Sequence, residues 1–285
     1  MAKALRWAGY LLTALLLFLL LAAGWVWFAS NRAIAARVDA VPEALVRPTA
    51  AQLADGPRQL RVLGCRNCHG DNLQGDAFID DAKVALLYAP NLTLVAAKAT
   101  DQQLAQSIRQ GIGHDGRTLM VMPSEGYQFL TDQEVAALIA GIRAFPMGGK
   151  EQPPLRLGPL GRFGIATGKF QTAPALVAEY RAARLADFGP QFAWGRHIVE
   201  TNCSECHGAD LKGKEVEPGV VSADLTIAGA YDLDQFKTLL RTGAAPGNKK
   251  LGLMAAVAKS DFRHMRDDEI AAVHAYLVER TRRAP

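Results

Sequence analysis

The sequence has no basic stripe, no sustained alternation of polar and apolar residues, and only four cysteines in 285 residues. Lys and Arg number 32 against 28 Asp and Glu, a formal charge of +4 at pH 7. The signs are mixed: residues 31–150 carry 12 of each, and residues 151–285 carry 18 basic and 16 acidic. Without a cationic face, nucleic acid is not expected as a partner. Without period-2 alternation, little sheet is expected, and the fold class reads as all-α. Charge is also missing from one long stretch. Trp7 to Ala29 contains no charged side chain and is rich in leucine. As helix it is roughly 34 Å long, enough for a bilayer core of about 30 Å. Lys3 and Arg6 precede it, and Trp7, Tyr10, Trp25 and Trp27 lie near its ends like an aromatic belt. A cleaved signal peptide has an apolar core of about 7–15 residues before small residues at the cleavage site. This run is longer and ends in bulky Trp25-Val26-Trp27-Phe28, so a single-pass, uncleaved signal anchor is expected.

The four cysteines occur in a pentapeptide present twice: Cys65-Arg66-Asn67-Cys68-His69 and Cys203-Ser204-Glu205-Cys206-His207. A Cys-x-x-Cys pair alone fits half a zinc site, a redox pair or disulfides. The histidine that follows both times points instead to covalent haem attachment. Two thiols at that spacing reach two vinyl groups of one porphyrin, and the adjacent histidine donates a ring nitrogen to the iron. Two covalently bound haem c groups are therefore expected, on Cys65, Cys68 and His69 and on Cys203, Cys206 and His207. Bacteria attach such haem on the periplasmic side. This places the amino end in the cytoplasm, the helix in the inner membrane and the haem domains in the periplasm.

The motifs lie 138 residues apart, and more than the pentapeptide recurs. Ala89-Pro90-Asn91-Leu92-Thr93 follows the first, and Ser222-Ala223-Asp224-Leu225-Thr226 the second. Next come helical stretches ending in arginine and glycine, Leu104 to Gly111 and Phe236 to Gly243, then a methionine loop, then an acidic-started helix. The first closing helix has a capping box, Thr131 with Glu134. In the second, Arg266 stands where Ser or Thr would cap, and Asp267 is expected to cap one residue later. Helices Arg58 to Gly64 and Phe192 to Thr201 should lead into the motifs. The expected domains are an anchor (1–29), a linker with Pro42, Pro48 and Pro57 (30–57), a first haem domain (58–147), a Gly/Pro-rich connector (148–189) with a helix from Pro174 to Asp187, and a second haem domain (190–285).

Two units of about 90 residues, each helix, Cys-x-x-Cys-His, loop, helix, methionine loop and helix, resemble tandem class I cytochrome c domains. Tyr88-Ala89-Pro90-Asn91-Leu92-Thr93 also resembles the cytochrome subunits of bacterial membrane-bound dehydrogenases, which usually carry three haems where this chain has two motifs. The resemblance implies that the Pro90 carbonyl accepts a hydrogen bond from the second nitrogen of His69, with Ala223 at the matching place. Fixing that nitrogen orients the ring and sets its basicity. A His/Met axial pair fills both iron positions and raises the potential. The family pattern of methionine before proline selects Met122, with Met120 second. Met254, in a glycine-bounded loop, is the second expected ligand, and Met265 is expected in the core. Tyr88, Arg109 and Arg241 are candidates for haem propionate contacts, against solvated arginines at helix ends. His114 reads as an exposed loop residue, His197 as a packing or propionate neighbour and His274 as a structural histidine. The implied function is electron transfer between protein redox partners, a dehydrogenase subunit, an oxidase or another cytochrome, with no catalytic residue of its own. A dihaem peroxidase would need an open iron position, and a haem sensor an output segment.

Overall fold

The computed structural model describes residues 2–217 and 219–283, whose regular structure is helical apart from two small sheets. The charge-free run lies in one helix, α1 (Ala2–Ala35). It is long and apolar enough to cross a membrane, and every residue from Ala2 to Leu20 is exposed. The segment after it is not a loose tether. It runs along the first unit, where Gln110 Nε2 donates to the Val41 carbonyl at 2.7 Å and Arg109 pairs with Glu43 at 2.7 Å.

Helix α2 (Ala50–Val62) begins well before Arg58 and contains Pro57, so the expected linker ends inside it. The cause is local: Thr49 and Gln52 form a reciprocal capping box that starts the helix. The first motif forms α3 (Cys65–His69). A hairpin follows, β1 (Asp76–Asp81) and β2 (Ala85–Ala89), then α4 (Leu92–Lys98), α5 (Asp101–Gln110), α6 (Ser124–Tyr127) and α7 (Asp132–Arg143). Thr131 and Glu134 cap α7 as the sequence predicts. Leu60, Leu104, Val135, Leu138, Ile139 and Ile142 form this unit's core.

The connector is ordered. Strand β3 (Arg156–Leu157) joins the edge of β2, pairing Leu157 with Ala85. Helices α8 (Pro159–Ala166) and α9 (Ala173–Ala182) follow, the latter shorter than the expected helix to Asp187. The second unit contains α10 (Ala193–Asn202), α11 (Ser204–His207) with the second motif, and the short pair β4 (Glu215–Glu217) and β5 (Val220–Val221). It continues with α12 (Leu233–Thr242), α13 (Leu253–Ser260) and α14 (Asp267–Arg283). Asp267 is the first residue of α14 rather than its cap. Arg266 stands before it, and its N–H donates to the Glu269 carboxylate at 2.7 Å, half of a capping box. Val199, Phe236, Ile270, Val273, Tyr276 and Leu277 form the second core, which also holds Met265 and, from the first unit, Val62.

The first and last helices of each unit cross closely. A Cβ on Gly56 of α2 would stand 3.0 Å from the Ala137 carbonyl oxygen, and one on Gly195 of α10 would stand 2.1 Å from that of Ala272. The two units then dock through related pieces. Glu134 and Glu269 are each the third residue of their closing helix. Glu134 meets His197 of the second unit at 2.9 Å, and Glu269 takes a two-pronged contact from Arg58 of the first unit, both arms at 2.8 Å. Asp55 joins the second cluster, 2.6 Å from Arg58 and 3.3 Å from Arg266.

Alanine inside a helix normally stabilises by about 1 kcal/mol over glycine, whereas overpacking costs about 1–3 kcal/mol. At 2.1 Å the clash wins, so Gly195→Ala lowers the melting temperature of the holoprotein more than Gly56→Ala does. Calorimetry showing Gly195→Ala at or above the parent would refute the close crossing. A second expectation concerns acid. The hydrogen bond from Arg58, opposed by burial and reinforced by Gln59 and Arg266, holds Asp55 down to about 2 from an ordinary 3.8. A carboxyl depressed in the folded state stabilises above its unfolded value and loses that contribution as pH falls through the folded one. Stability therefore drops between about pH 4 and pH 2, and Asp55→Asn flattens that part of the profile in thermal melts.

Candidate functional site

The two Cys-x-x-Cys-His turns are followed by the same loop. Each histidine leads into glycine, two residues of which the second is Asn or Asp, leucine, one residue and glycine: His69 to Gly75, and His207 to Gly213. Gly70 and Gly208 have φ of 77° and 84°, which ends the short helix and reverses the chain. Leu73 and Leu211 also have positive φ, 58° and 61°, rare for a bulky residue, and both are fully buried. The loop closes when Gly75 N–H and Gly213 N–H donate to the carbonyls of His69 and His207, both at 2.8 Å. The two leucine carbonyls accept from the N–H of Leu92 and Leu225, at 2.8 and 2.9 Å. This ties each loop to the segment expected to support the histidine.

That segment is set in place by its own caps. Asn91 accepts from the N–H of Thr93 and Leu94, and Asp224 from that of Thr226. One residue before each cap, a carbonyl points at the imidazole. Nδ1 of His69 donates to the Pro90 carbonyl at 2.8 Å, and Nδ1 of His207 to that of Ala223 at 2.7 Å. A carbonyl can only accept, so Nδ1 carries the proton and Nε2 presents its lone pair. Burial, opposed by the carbonyl bond, holds both histidines below their ordinary value and so neutral. Among the described residues neither Nε2 has a hydrogen-bond partner.

All four cysteines are free thiols, half-buried beside their histidines. Burial pushes Cys65 and Cys203 up to about 12 and Cys68 and Cys206 up to about 11. No group of three or more His, Cys, Asp or Glu side chains is gathered into a metal cage among the described residues. Two neutral thiols and one oriented, neutral imidazole on a single turn fit a haem attached by thioethers and bound by histidine.

The methionines fall in comparable places. Met122 is half-buried against the first core and directly precedes Pro123, the cap of α6; Met120 lies two residues earlier in the same loop. Met254 packs against the second core from the first turn of α13, a helical position where a loop was expected. Met265 is buried in that core. Tyr88 is half-buried on β2.

The two arginines have protein partners. Arg109 pairs with Glu43 and Asp132, at 2.7 and 2.8 Å, while its buried Nε has no partner among the described residues. Arg241 donates to the Arg263 carbonyl at 2.5 Å and to Asp267 at 2.7 Å, so its two terminal nitrogens serve the helix ends. His114 is exposed, His197 belongs to the domain interface and His274 Nε2 donates to the Tyr231 carbonyl at 2.8 Å.

Several residues at this site carry no sequence signal by chemistry alone. Each unit's segment after its methionine lies on the other unit's motif. Asn67, inside the first motif, donates to both oxygens of Asp261 at 2.8 and 2.6 Å. A Cβ on Gly126 would lie 3.3 Å from the Thr201 carbonyl oxygen and 3.6 Å from Ser204 Oγ, beside the second motif. Buried Tyr127 donates to the Leu63 carbonyl. The repeated His-Gly-x-x-Leu-x-Gly spacing could have revealed Leu73 and Leu211; nothing in the sequence singled out Asn67 or Asp261.

A family model described as cytochrome c matches residues 53–144 and again 192–281. The fructose dehydrogenase cytochrome subunit of Gluconobacter japonicus is 24% identical over 249 residues, covering 75% of this chain and 49% of that protein. The cytochrome c subunit of the quinone alcohol dehydrogenase of Gluconobacter oxydans is 23% identical over 265 residues, 80% of this chain and 54% of that one. The gluconate 2-dehydrogenase cytochrome c subunit of Pantoea cypripedii is 26% identical over 205 residues, 60% and 45% respectively. The chain spans about half the length of the curated relatives it matches. With both matches falling on the two motif-bearing units, the chain belongs to the cytochrome c family and carries two of its domains in tandem.

Proposed function

We propose that this chain is a membrane-anchored, periplasmic dihaem cytochrome that moves electrons between protein partners and performs no substrate chemistry itself. The observation that carries the reading is the twice-built site in which an imidazole beside two thiols gives Nδ1–H to a main-chain carbonyl. Cys65 and Cys68 hold one haem and Cys203 and Cys206 the other, with His69 and His207 as iron ligands. When bound, each haem supplies a one-electron couple. The chain supplies the rest. Pro90 and Ala223 orient the histidines and raise their basicity. Met122 and Met254 would each supply a thioether ligand to the iron, and that ligation would keep water and peroxide off the metal. Met120 is the alternative to Met122. Arg109, through its buried Nε, and Tyr88 serve a haem carboxylate.

The partner is a membrane-bound dehydrogenase subunit, supported by relatives named as cytochrome subunits of fructose, alcohol and gluconate dehydrogenases. Helix α1 serves as the single-pass anchor in the bacterial inner membrane, with the haem units on the periplasmic side.

Isolation from membranes tests this directly. Two covalently held haems per chain by pyridine haemochrome, with a flavin, quinoprotein or molybdenum subunit co-purifying, is the expected result. A count below two ends the reading, and an oxidase in place of the dehydrogenase moves the partner to the respiratory chain.

Four variants test the residues. Met122→Ala and Met254→Ala each remove half of the ferric thioether-to-iron charge-transfer band, while Met120→Ala leaves it whole; loss of the band in Met120→Ala transfers the ligand to that residue. Gly213 has φ of 92°, and a Cβ there would stand 2.2 Å from the Ser222 carbonyl oxygen, next to Ala223. Gly213→Ala should therefore push the Ala223 carbonyl from His207, weaken the ligand and raise the potential of the second haem alone. A redox titration reads the shift, on the order of tens of millivolts, where about 59 mV is a tenfold change for one electron.

A further inference from the structure

Helix α8 lies alongside the end of α1, and it is held firmly between that helix and the first haem unit. On the α1 side, the Arg162 guanidinium stacks 3.8 Å over the Trp27 ring and donates to Ser30 Oγ at 3.0 Å and Asn31 Oδ1 at 2.9 Å. Ala22, Val26, Ala29 and buried Ser30 form a less exposed stripe on α1, at helical spacing. On the other side, Gly158 N–H and Leu160 N–H donate to the Val84 and Lys83 carbonyls at the hairpin tip, both at 2.9 Å. Gly161 lets the backbones meet, since a Cβ there would fall 2.1 Å from Val84 O.

The face of α8 turned away from these supports is apolar and open. Leu160 and Phe163, three residues apart, are 58% and 50% exposed. The chain then folds back through Lys169, and Phe170 N–H donates to the Gly164 carbonyl at 3.0 Å, bringing a third bulky side chain, 50% exposed, against Gly164. The strap from Arg156 to Thr172 contains Arg156, Arg162 and Lys169 and no Asp or Glu. Trp25, Trp27 and Phe28 stand exposed on the adjoining turns of α1.

We infer that this strap is a second membrane contact: Leu160, Phe163 and Phe170 enter the boundary between headgroups and acyl chains of a phospholipid bilayer, with Arg156 and Lys169 at the phosphates. The inference rests on α1 being a retained anchor. Two observations select lipid over a protein partner. The patch is continuous with the charge-free surface of α1 and sits beside its last apolar turns, so a spanning α1 carries the strap to the interface. The cations without carboxylates complement phosphate, and apolar face, aromatic side chains and basic rim are what interfacial helices combine. Because α8 is fixed to the hairpin, the contact also fixes the tilt and height of the first haem unit over the membrane.

Spin-label depth measurements in phosphatidylethanolamine–phosphatidylglycerol nanodiscs test this. The four native cysteines are taken up by haem in the holoprotein, so one added cysteine labels uniquely. Labels at Phe163→Cys and Lys169→Cys probe the strap, Leu17→Cys the anchor, and Asp234→Cys the exposed surface of the second unit. The expected result is residue 163 about 5–10 Å below the phosphates, where interfacial helices bury their apolar face, residue 169 at the phosphates, residue 17 deep and residue 234 aqueous. If 163 and 169 are aqueous while 17 is deep, the inference falls and the anchor stands. If 17 is aqueous, both fall. If the strap is aqueous in nanodiscs but shielded in membranes by a co-isolated subunit, the surface belongs to a protein and the inference is overturned.

Discussion

An imidazole that donates Nδ1–H to a main-chain carbonyl can offer Nε2 in one direction only. Everything that positions the two candidate haem sites serves that bond. The carbonyl lies 21 residues from its histidine in the first unit and 16 in the second. The hairpin β1–β2 fills the longer excursion and the small β4–β5 pair the shorter. What the two share is the anchoring of both ends. A buried leucine with left-handed φ, at Leu73 and Leu211, gives its carbonyl to the residue two after the acceptor. A residue held in that conformation costs on the order of 1–3 kcal/mol. Burying a leucine side chain returns about 1.5–3 kcal/mol, so the core offsets the strain and the loop between can vary freely. That explains how proline in one unit and alanine in the other leave the same bond within 0.1 Å.

The interface between the units uses the same economy of parts with different chemistry. Each closing helix begins with a glutamate whose carboxylate also helps cap that helix: Glu134 takes the Thr131 N–H and Glu269 the Arg266 N–H, each at 2.7 Å. Having been fixed by the cap, each carboxylate is preoriented toward the other unit. Against Glu134 stands a neutral-capable histidine, against Glu269 an always-charged arginine. Burial and the Arg58 fork make the second contact the stronger hydrogen-bonded one. The first follows the balance in which burial raises Glu134 and its His197 and Thr131 hydrogen bonds prevail to lower it. Capping and docking are thus one interaction, and the arrangement holds each post-methionine segment on the neighbouring motif.

Chemistry and helical periodicity were legible in the sequence; geometry set by long-range partners was not. Cys-x-x-Cys-His needs five adjacent residues, so both sites were readable, as were the closing helices and the Thr131 cap. The start of α2 was hidden by Pro57, which reads as a break. Yet the Thr49–Gln52 box nucleates the helix, and tertiary packing of Gly56 and Leu60 on α7 carries it past the proline. The hairpin escaped notice because β1 is exposed nearly throughout and cannot alternate. Arg241 stayed open between a haem propionate and a helix end because its partner Asp267 lies 26 residues on, at the start of a helix thought to be capped by that same aspartate. Once Glu269 takes over the capping, Asp267 is released to pair with Arg241 and Lys237.

The ordered segments on either side of the first haem unit change what the proposed anchor could do. A flexible tether lets a carrier sample all orientations, so a partner in the same membrane meets the right face only occasionally. Here the chain leaving α1 is bound along the first unit by Val41 and Glu43, and the connector is sewn into its sheet by β3. The second unit then docks on the first through Arg58, Glu134, Glu269 and His197. Each link rests on more than one hydrogen bond or ion pair. With α1 as the proposed anchor, the freedom that remains is rotation of the whole body about it. Restricting a search from three rotations toward one raises the share of productive encounters without any new contact, and it does so for every partner confined to the same plane.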